Sequence, residues 1–266
     1  MSACEDHQEI ALIFLGDSDI SRWPEHLYPS LSTTQSLPHR HITSTNFHHA
    51  KSGAIMQNLS KQIKKSSREL SGKYFDAAIF IACAGENDVS SDIPIDTIMS
   101  SFETVVEEIL SFSKSKSWSK PSNQSHLIFI GPKIEPWMTK TKDELDARKG
   151  YFQLSERLNQ SCKTLSASVC EYQLGEGHSS TNAHERRGVL DNSCIHYIDC
   201  LAMFCGETKG LSVFGGKAIA DKRYFEEDEL HLSDKGYEVF QREVELVLEN
   251  IVRGEKNEDL CNDSQR

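Results

Sequence analysis

Strand-sized apolar runs alternate with helix-period segments along this chain, and that alternation limits its fold more than any other feature. Such an order is the signature of a parallel sheet with helices on both faces. Residues 10–15 form an unbroken apolar run, as a buried parallel strand requires, and stop at Gly16-Asp17-Ser18. Residues 41–47 alternate more weakly and give a second strand. Residues 54–70 follow as a helix with Ile55, Leu59 and Ile63 on one face. Residues 77–84 are a central strand ending at Gly85-Glu86-Asn87-Asp88. In 96–112, Ile98, Phe102, Val105, Ile109 and Phe112 recur at helical spacing. Residues 127–130 are the next strand, closed by Gly131-Pro132, and 142–169 predict a long helix through Leu145, Phe152, Leu158, Cys162, Leu165 and Val169. A short fifth strand occupies 195–198. The last helix, 233–252, carries the stripe Tyr237, Phe240, Val244, Val247 and Ile251, with Ser233 as its N-cap. Polar 113–125 and 173–193 and Gly-rich 206–227 read as loops.

The expected class is α/β: a three-layer α/β/α sandwich with a five-stranded parallel sheet. At roughly 150 residues per domain, 266 residues allow one large domain or two small ones. The strand order favours one, over 1–254, followed by a polar tail over 255–266 that frays. A net charge of -11 argues against nucleic acid as a partner, because phosphate binding needs clustered Lys and Arg. It also disfavours adsorption to anionic membranes. The first residues lack a basic stretch followed by an apolar one, and no apolar run is long enough to span a bilayer. A cytoplasmic location is the expectation. There the eight cysteines read as free buried thiols and not as disulfides. Cys194, His196, Cys200 and Cys205 cluster loosely, but with no C-x-x-C pair a metal site is not the expected reading. No metal and no organic cofactor is expected. The oligomeric state is left open.

Three motifs end or follow strands, so all face the carboxyl edge of the sheet, where ligands bind in such folds. In Gly16-Asp17-Ser18, a Ser at a strand-to-helix turn presents its hydroxyl outwards beside backbone N–H groups; the ordinary alternative is a helix N-cap. In Gly85-Glu86-Asn87-Asp88, Gly85 permits an unusual backbone conformation, and Asn87 offers a side-chain N–H to an oxyanion; the alternative is a plain turn. In Asp228-Glu229-Leu230-His231, the Asp can fold back within one turn of chain to fix the His tautomer; the alternative is a solvated acidic run before a surface His. Each motif alone is weak. Their order around one sheet edge is what makes them specific.

Together these blocks resemble the SGNH (GDSL-type) ester hydrolases, whose pattern reads G-D-S, a Gly after the second strand, G-x-N-D and D-x-x-H. Here they are Gly16-Asp17-Ser18, Gly53 in Lys51-Ser52-Gly53-Ala54, Gly85 to Asp88, and Asp228 to His231. The run from Leu230 to Tyr237 is similar to the family's entry into its last helix, and the likeness covers residues 10 to about 252. The resemblance implies a flavodoxin-like SGNH fold and a serine ester hydrolase acting on a small-molecule acyl ester. Ser18 would be the nucleophile, His231 the general base and Asp228 its orienter. The Ser18 and Gly53 backbone N–H groups and the Asn87 amide would form the oxyanion hole. Gly85 would support that arrangement. Asp17 and Asp88 are expected to be structural, Asp17 bracing the turn and Asp88 holding Asn87.

The chain departs from the pattern at Asp19, where the family carries a packing Leu, so an acid stands beside the nucleophile. The same triad would serve a carbohydrate O-acetyl esterase or an acyltransferase, because function lives in the site and not the fold. An inert binding protein retaining the fold is the non-enzyme alternative. The acyl length, the alcohol and the role of 173–193 are not fixed by the sequence. Among the aromatics, Trp137 is the best candidate for a pocket wall, ahead of Trp23 and Trp118.

Overall fold

Strand β1 (Asp6–Gly16) shows how the sequence builds the two cores. Its side chains alternate across the sheet. Ile10, Leu12 and Phe14 enter one core and Ala11, Ile13 and Leu15 the other. In this computed structural model, which describes residues 6–31, 40–112, 125–138, 142–175, 195–201, 203–205 and 219–253, β1 is the second strand of a parallel sheet. The other strands are β2 (Arg40–His48), β3 (Ala77–Cys83), β4 (Ser125–Ile130) and β5 (Ile195–Ile198), in the order β2-β1-β3-β4-β5.

Helices cover both faces. Besides the short α1 (Ser18–Ser21) and α3 (Glu86–Ser90), the chain forms α2 (Leu59–Leu70), α4 (Ile95–Phe112), α5 (Lys142–Gly175) and α6 (Asp234–Arg253). Helix α6 fills the first core with Tyr237, Phe240, Val244 and Leu248. Ile63 of α2, Phe102 of α4, and Leu154 and Leu158 of α5 fill the second. The result is the expected three-layer α/β/α sandwich. Among the described residues, no helix is long and apolar enough to cross a membrane.

The chain runs from β1 outwards to β2, then returns across β1 to β3. That reversal is a topological switch point, and it leaves a crevice beyond the strand ends. Gly16 and Cys83 are partners in register there. Helices α1 and α3 begin immediately beyond them.

Several boundaries differ from expectation: helix α2, expected from residue 54, begins at Leu59 after a 3-10 turn at Met56–Asn58, and β4 begins two residues early at Ser125. β1 starts at Asp6, ahead of its apolar run, because residues 6–9 pair only with β2 and β3 joins at Ile10↔Ala77. A strand flanked on one side alone tolerates polar residues. Helix α5 continues to Gly175, so the first residues of the expected 173–193 loop are helical. Helix α6 begins at Asp234, and the Ser233 hydroxyl donates to the Arg223 carbonyl at 3.0 Å. Residues 113–124, 176–194 and 206–218, the tail 254–266, and with them Trp118 and Cys194, lie outside the described residues.

Candidate active site

Gly16 closes β1 at φ +139, and a Cβ there would stand 2.2 Å from the Cys83 carbonyl oxygen. Only glycine lets the two strand ends come so close. The Gln62 side chain clamps this residue: Gly16 N donates to Oε1 at 2.7 Å, and Nε2 donates to the Gly16 carbonyl at 2.9 Å. Asp17 then caps α1, its Oδ1 accepting from Asp19 N at 3.1 Å. Ser18 is the first residue of α1 and is half-buried. The loop after β2 lies against the same turn. Lys51 N donates to the Gly16 carbonyl at 2.9 Å, and the Ser21 and Ser52 hydroxyls meet at 2.8 Å. Gly53 is the exposed tip of that loop, at φ +75.

Gly85 caps α3 at φ +120, and a Cβ there would overlap Leu154 at 2.6 Å. The Asn87 amide that follows donates to the Ala54 carbonyl at 3.1 Å and to Asp17 Oδ2 at 3.4 Å. Asn87 thus bridges the Gly53 loop and the Ser18 turn. Asp88 accepts from Met56 N at 2.8 Å. That bond braces the loop beyond Gly53, not the Asn87 side chain. Burial raises its carboxyl above the usual range.

The Asp228–His231 pair stands in a tight hairpin. Phe225 and Leu232 form an antiparallel bridge, and Glu226 N donates to the His231 carbonyl at 2.7 Å. The turn needs a left-handed residue, and Glu229 supplies it at φ +58. Asp228 Oδ1 accepts from the backbone N–H groups of Leu230 at 3.0 Å and His231 at 2.9 Å. Its Oδ2 meets His231 Nδ1 at 2.6 Å. Partial burial opposes ionisation of Asp228. The His231 ring, the two backbone donors and the charge on His231 outweigh it and hold the carboxyl down at about 2.

Two cavities share Asp228 as a wall. One, of about 410 Å³, is lined by Asp17, Ser18, Asn87, Trp137, Tyr151 and Leu230 among others. The other, of about 470 Å³, is lined by His231, Arg22, Glu226, Glu227 and Tyr237 among others. Ser18, Asn87 and Asp228 are therefore brought to one cavity, with His231 on its neighbour. Gly53 lines neither. Trp137 is a pocket wall, whereas Trp23 is core, 3% exposed.

Beneath the first cavity lies a group that the sequence motifs did not reveal. Lys133, 1% exposed, follows β4 and sends Nζ to Asp19 at 2.7 Å, Glu86 at 2.9 Å and Glu135 at 3.0 Å. Lys133 N also donates to Glu86 Oε1 at 2.9 Å, and Trp137 Nε1 donates to Glu135 Oε2 at 2.5 Å. The acid at position 19 is thus the partner of a buried ammonium. Burial alone would lower the Lys133 pKa, but the three surrounding carboxylates raise it well above its usual value. One ammonium does not offset all the acids. Burial, then the Asp19 charge, pushes Asp17 up to about 8. Burial likewise raises Glu86 and Glu135. A signal existed: Lys133-Ile134-Glu135-Pro136-Trp137 leaves β4 at the edge that the other motifs share.

Among the described residues, the grouping with metal-ligand spacing is Asp17, Asp19 and Cys83, where atoms lie within 4.8 Å of one another. Lys133 already places a positive charge on Asp19 there. His196, Cys200 and Cys205 form no such grouping among the described residues: the His196 ring stacks on His126 at 6.0 Å, and both cysteines are buried.

No family model matches the chain, and no curated protein matches it in sequence. Solved structures do match it in fold. A member of the lipolytic G-D-S-L family from Veillonella parvula superposes with a TM-score of 0.51 at 12% identity, over 90% of this chain and 98% of that one. A lipase from a goat rumen metagenome gives 0.50 at 15%, over 89% and 96%. A catalytic mutant of an acetylxylan esterase from Geobacillus stearothermophilus gives 0.50 at 14%, over 91% and 93%. These identities speak for architecture alone. The resemblance first read from four sequence blocks now has its counterpart in three dimensions, and the chain has the three-layer α/β/α fold of the SGNH (GDSL-type) hydrolases.

Proposed function

We propose that this chain is a serine ester hydrolase that cleaves a carboxylic ester through an acyl-enzyme on Ser18. The observation that carries the reading is the Asp228–His231 pair, joined at 2.6 Å, with Asp228 on the wall of the cavity that Ser18 lines and His231 on the adjoining one. A carboxylate on Nδ1 leaves Nε2 of His231 as the base. That nitrogen takes the Ser18 proton as Oγ attacks the carbonyl, then returns it to the leaving alcohol. Water repeats the cycle and frees the acid.

The developing oxyanion would be held by the Ser18 and Gly53 backbone N–H groups and by Asn87. One Asn87 N–H is spoken for by Ala54 at 3.1 Å, while the other has only the 3.4 Å contact with Asp17. That long bond is weak, so an oxyanion competes for it favourably. The mechanism calls on no metal or organic cofactor. A cytoplasmic setting, where thiols stay reduced, agrees with the free thiols of Cys83, Cys162 and Cys200.

The test is hydrolysis of p-nitrophenyl acetate and butyrate, with covalent labelling by a fluorophosphonate. Activity and a label on Ser18 are expected, and Ser18→Ala should lose both, with kcat falling at least about 1,000-fold. A label on another residue, or an undiminished Ser18→Ala enzyme, would sink the reading.

A further inference from the structure

Asp19 directly follows Ser18 in α1, and Glu86 directly precedes Asn87 in α3. One side chain joins the two helices. Lys133 Nζ donates to Asp19 Oδ2 at 2.7 Å and to Glu86 Oε2 at 2.9 Å. Its third bond goes to Glu135 Oε1 at 3.0 Å. An ammonium has three N–H groups, so none is left over for a ligand. All four residues are buried. The group is closed upon itself, and it acts on its surroundings through the residues next to each partner.

Neither helix fixes itself. Helix α1 has four residues and α3 has five, and a single turn of helix is not stable on its own. The direct link between their motifs is the contact of Asn87 with Asp17 at 3.4 Å, which is long and weak. The Lys133 bonds are short and charge-assisted, and such bonds are the strong ones. Lys133 is itself well anchored at the end of β4. Its backbone N–H donates to Glu86 Oε1 at 2.9 Å, so Glu86 is gripped twice, and Trp137 holds the far oxygen of Glu135.

We propose that Lys133 is a positioning residue: by bonding Asp19 and Glu86 at once, it sets the spacing between Ser18 and Asn87 and thereby aligns the nucleophile with the oxyanion donor. This rests on the esterase reading of Ser18.

The experiment separates holding the fold from holding the site. Removing one partner of a buried ion pair is strongly destabilising, whereas replacing both by apolar residues is often neutral. Asp19→Leu/Lys133→Met does the latter. Burial already favours the neutral forms of the Glu86 and Glu135 left behind. The substrate is p-nitrophenyl acetate, and kcat is expressed per Ser18 titrated with fluorophosphonate, a readout independent of how much enzyme folds. In the double variant kcat should fall about 100-fold with KM within about threefold of wild type, the signature of misaligned groups. Asp19→Asn and Asp19→Leu form a second comparison. Both remove the charge and leave Lys133 two acids, but Asn keeps an oxygen for Nζ. Its kcat should exceed that of Asp19→Leu by about tenfold. A double variant within about threefold of wild type in kcat, a loss carried by KM alone, or equal kcat in the two Asp19 variants overturns the proposal and leaves the hydrolase reading standing. If the double variant does not fold, the Asp19 pair decides. A wild type that neither cleaves the ester nor takes the label on Ser18 ends the hydrolase reading and this one with it.

Discussion

Asp228 is half exposed, yet three donors from its own turn hold it ionised. In the proposed mechanism its charge would steady the protonated imidazole as Ser18 attacks. Asp228→Asn keeps the shape, removes the charge and favours the wrong His tautomer. Its kcat should fall about 1,000- to 10,000-fold with KM little changed, as steady-state kinetics would show. Asp17 behaves in the opposite way. With its carboxyl pushed up to about 8 by burial and by the Asp19 charge, it holds its proton far above the ordinary carboxylate range although it faces the Asn87 amide. As pH rises through that value, a negative charge appears beside the Asn87 amide, where the proposed oxyanion would form. The rate should therefore decline above about pH 8, and Asp17→Asn should lose that alkaline limb, as full pH–rate profiles of both proteins would show.

At the scale of elements, the site hangs on one clamp between a strand end and a helix. Gln62 of α2 satisfies both backbone groups of Gly16 inside a dry core. In Gln62→Leu the Gly16 N–H loses its partner, which costs about 1–3 kcal/mol. Urea unfolding should register that loss, and esterase activity should fall with it because Ser18 lies two residues on. The strands and long helices were legible in the sequence, because apolar period is a local property: Ile98 to Phe112 announce α4 without help from elsewhere. The Gln62 clamp and the Lys133 cluster were not. Each joins residues distant in sequence, Lys133 lying 114 positions from Asp19, and no local pattern carries such a pairing. The Asp228–His231 bond was legible for the opposite reason, since both partners belong to one turn.

Over the whole molecule, the buried acids tie stability to pH. The native state keeps protons on Asp17, Glu86 and Glu135 that the unfolded chain has already lost. Stability therefore falls as pH rises from the ordinary carboxylate range, and for Asp17 the fall ends near about 8. Asp228 acts at the other end: its small, solvent-screened contribution is present above the ordinary range and disappears as pH drops through about 2. Asp17→Asn should gain on wild type between about pH 4 and about pH 9, as denaturant unfolding at both values would show.

Trp23 sits just past α1, its ring 6.0 Å from Tyr237 and 5.7 Å from Phe240 of α6. Helix α6 begins three residues after His231, so the indole is an optical gauge of the step that seats α6 against the Ser18 turn. During refolding, a blue shift of its emission should mark the earliest moment at which the proposed turnover could begin.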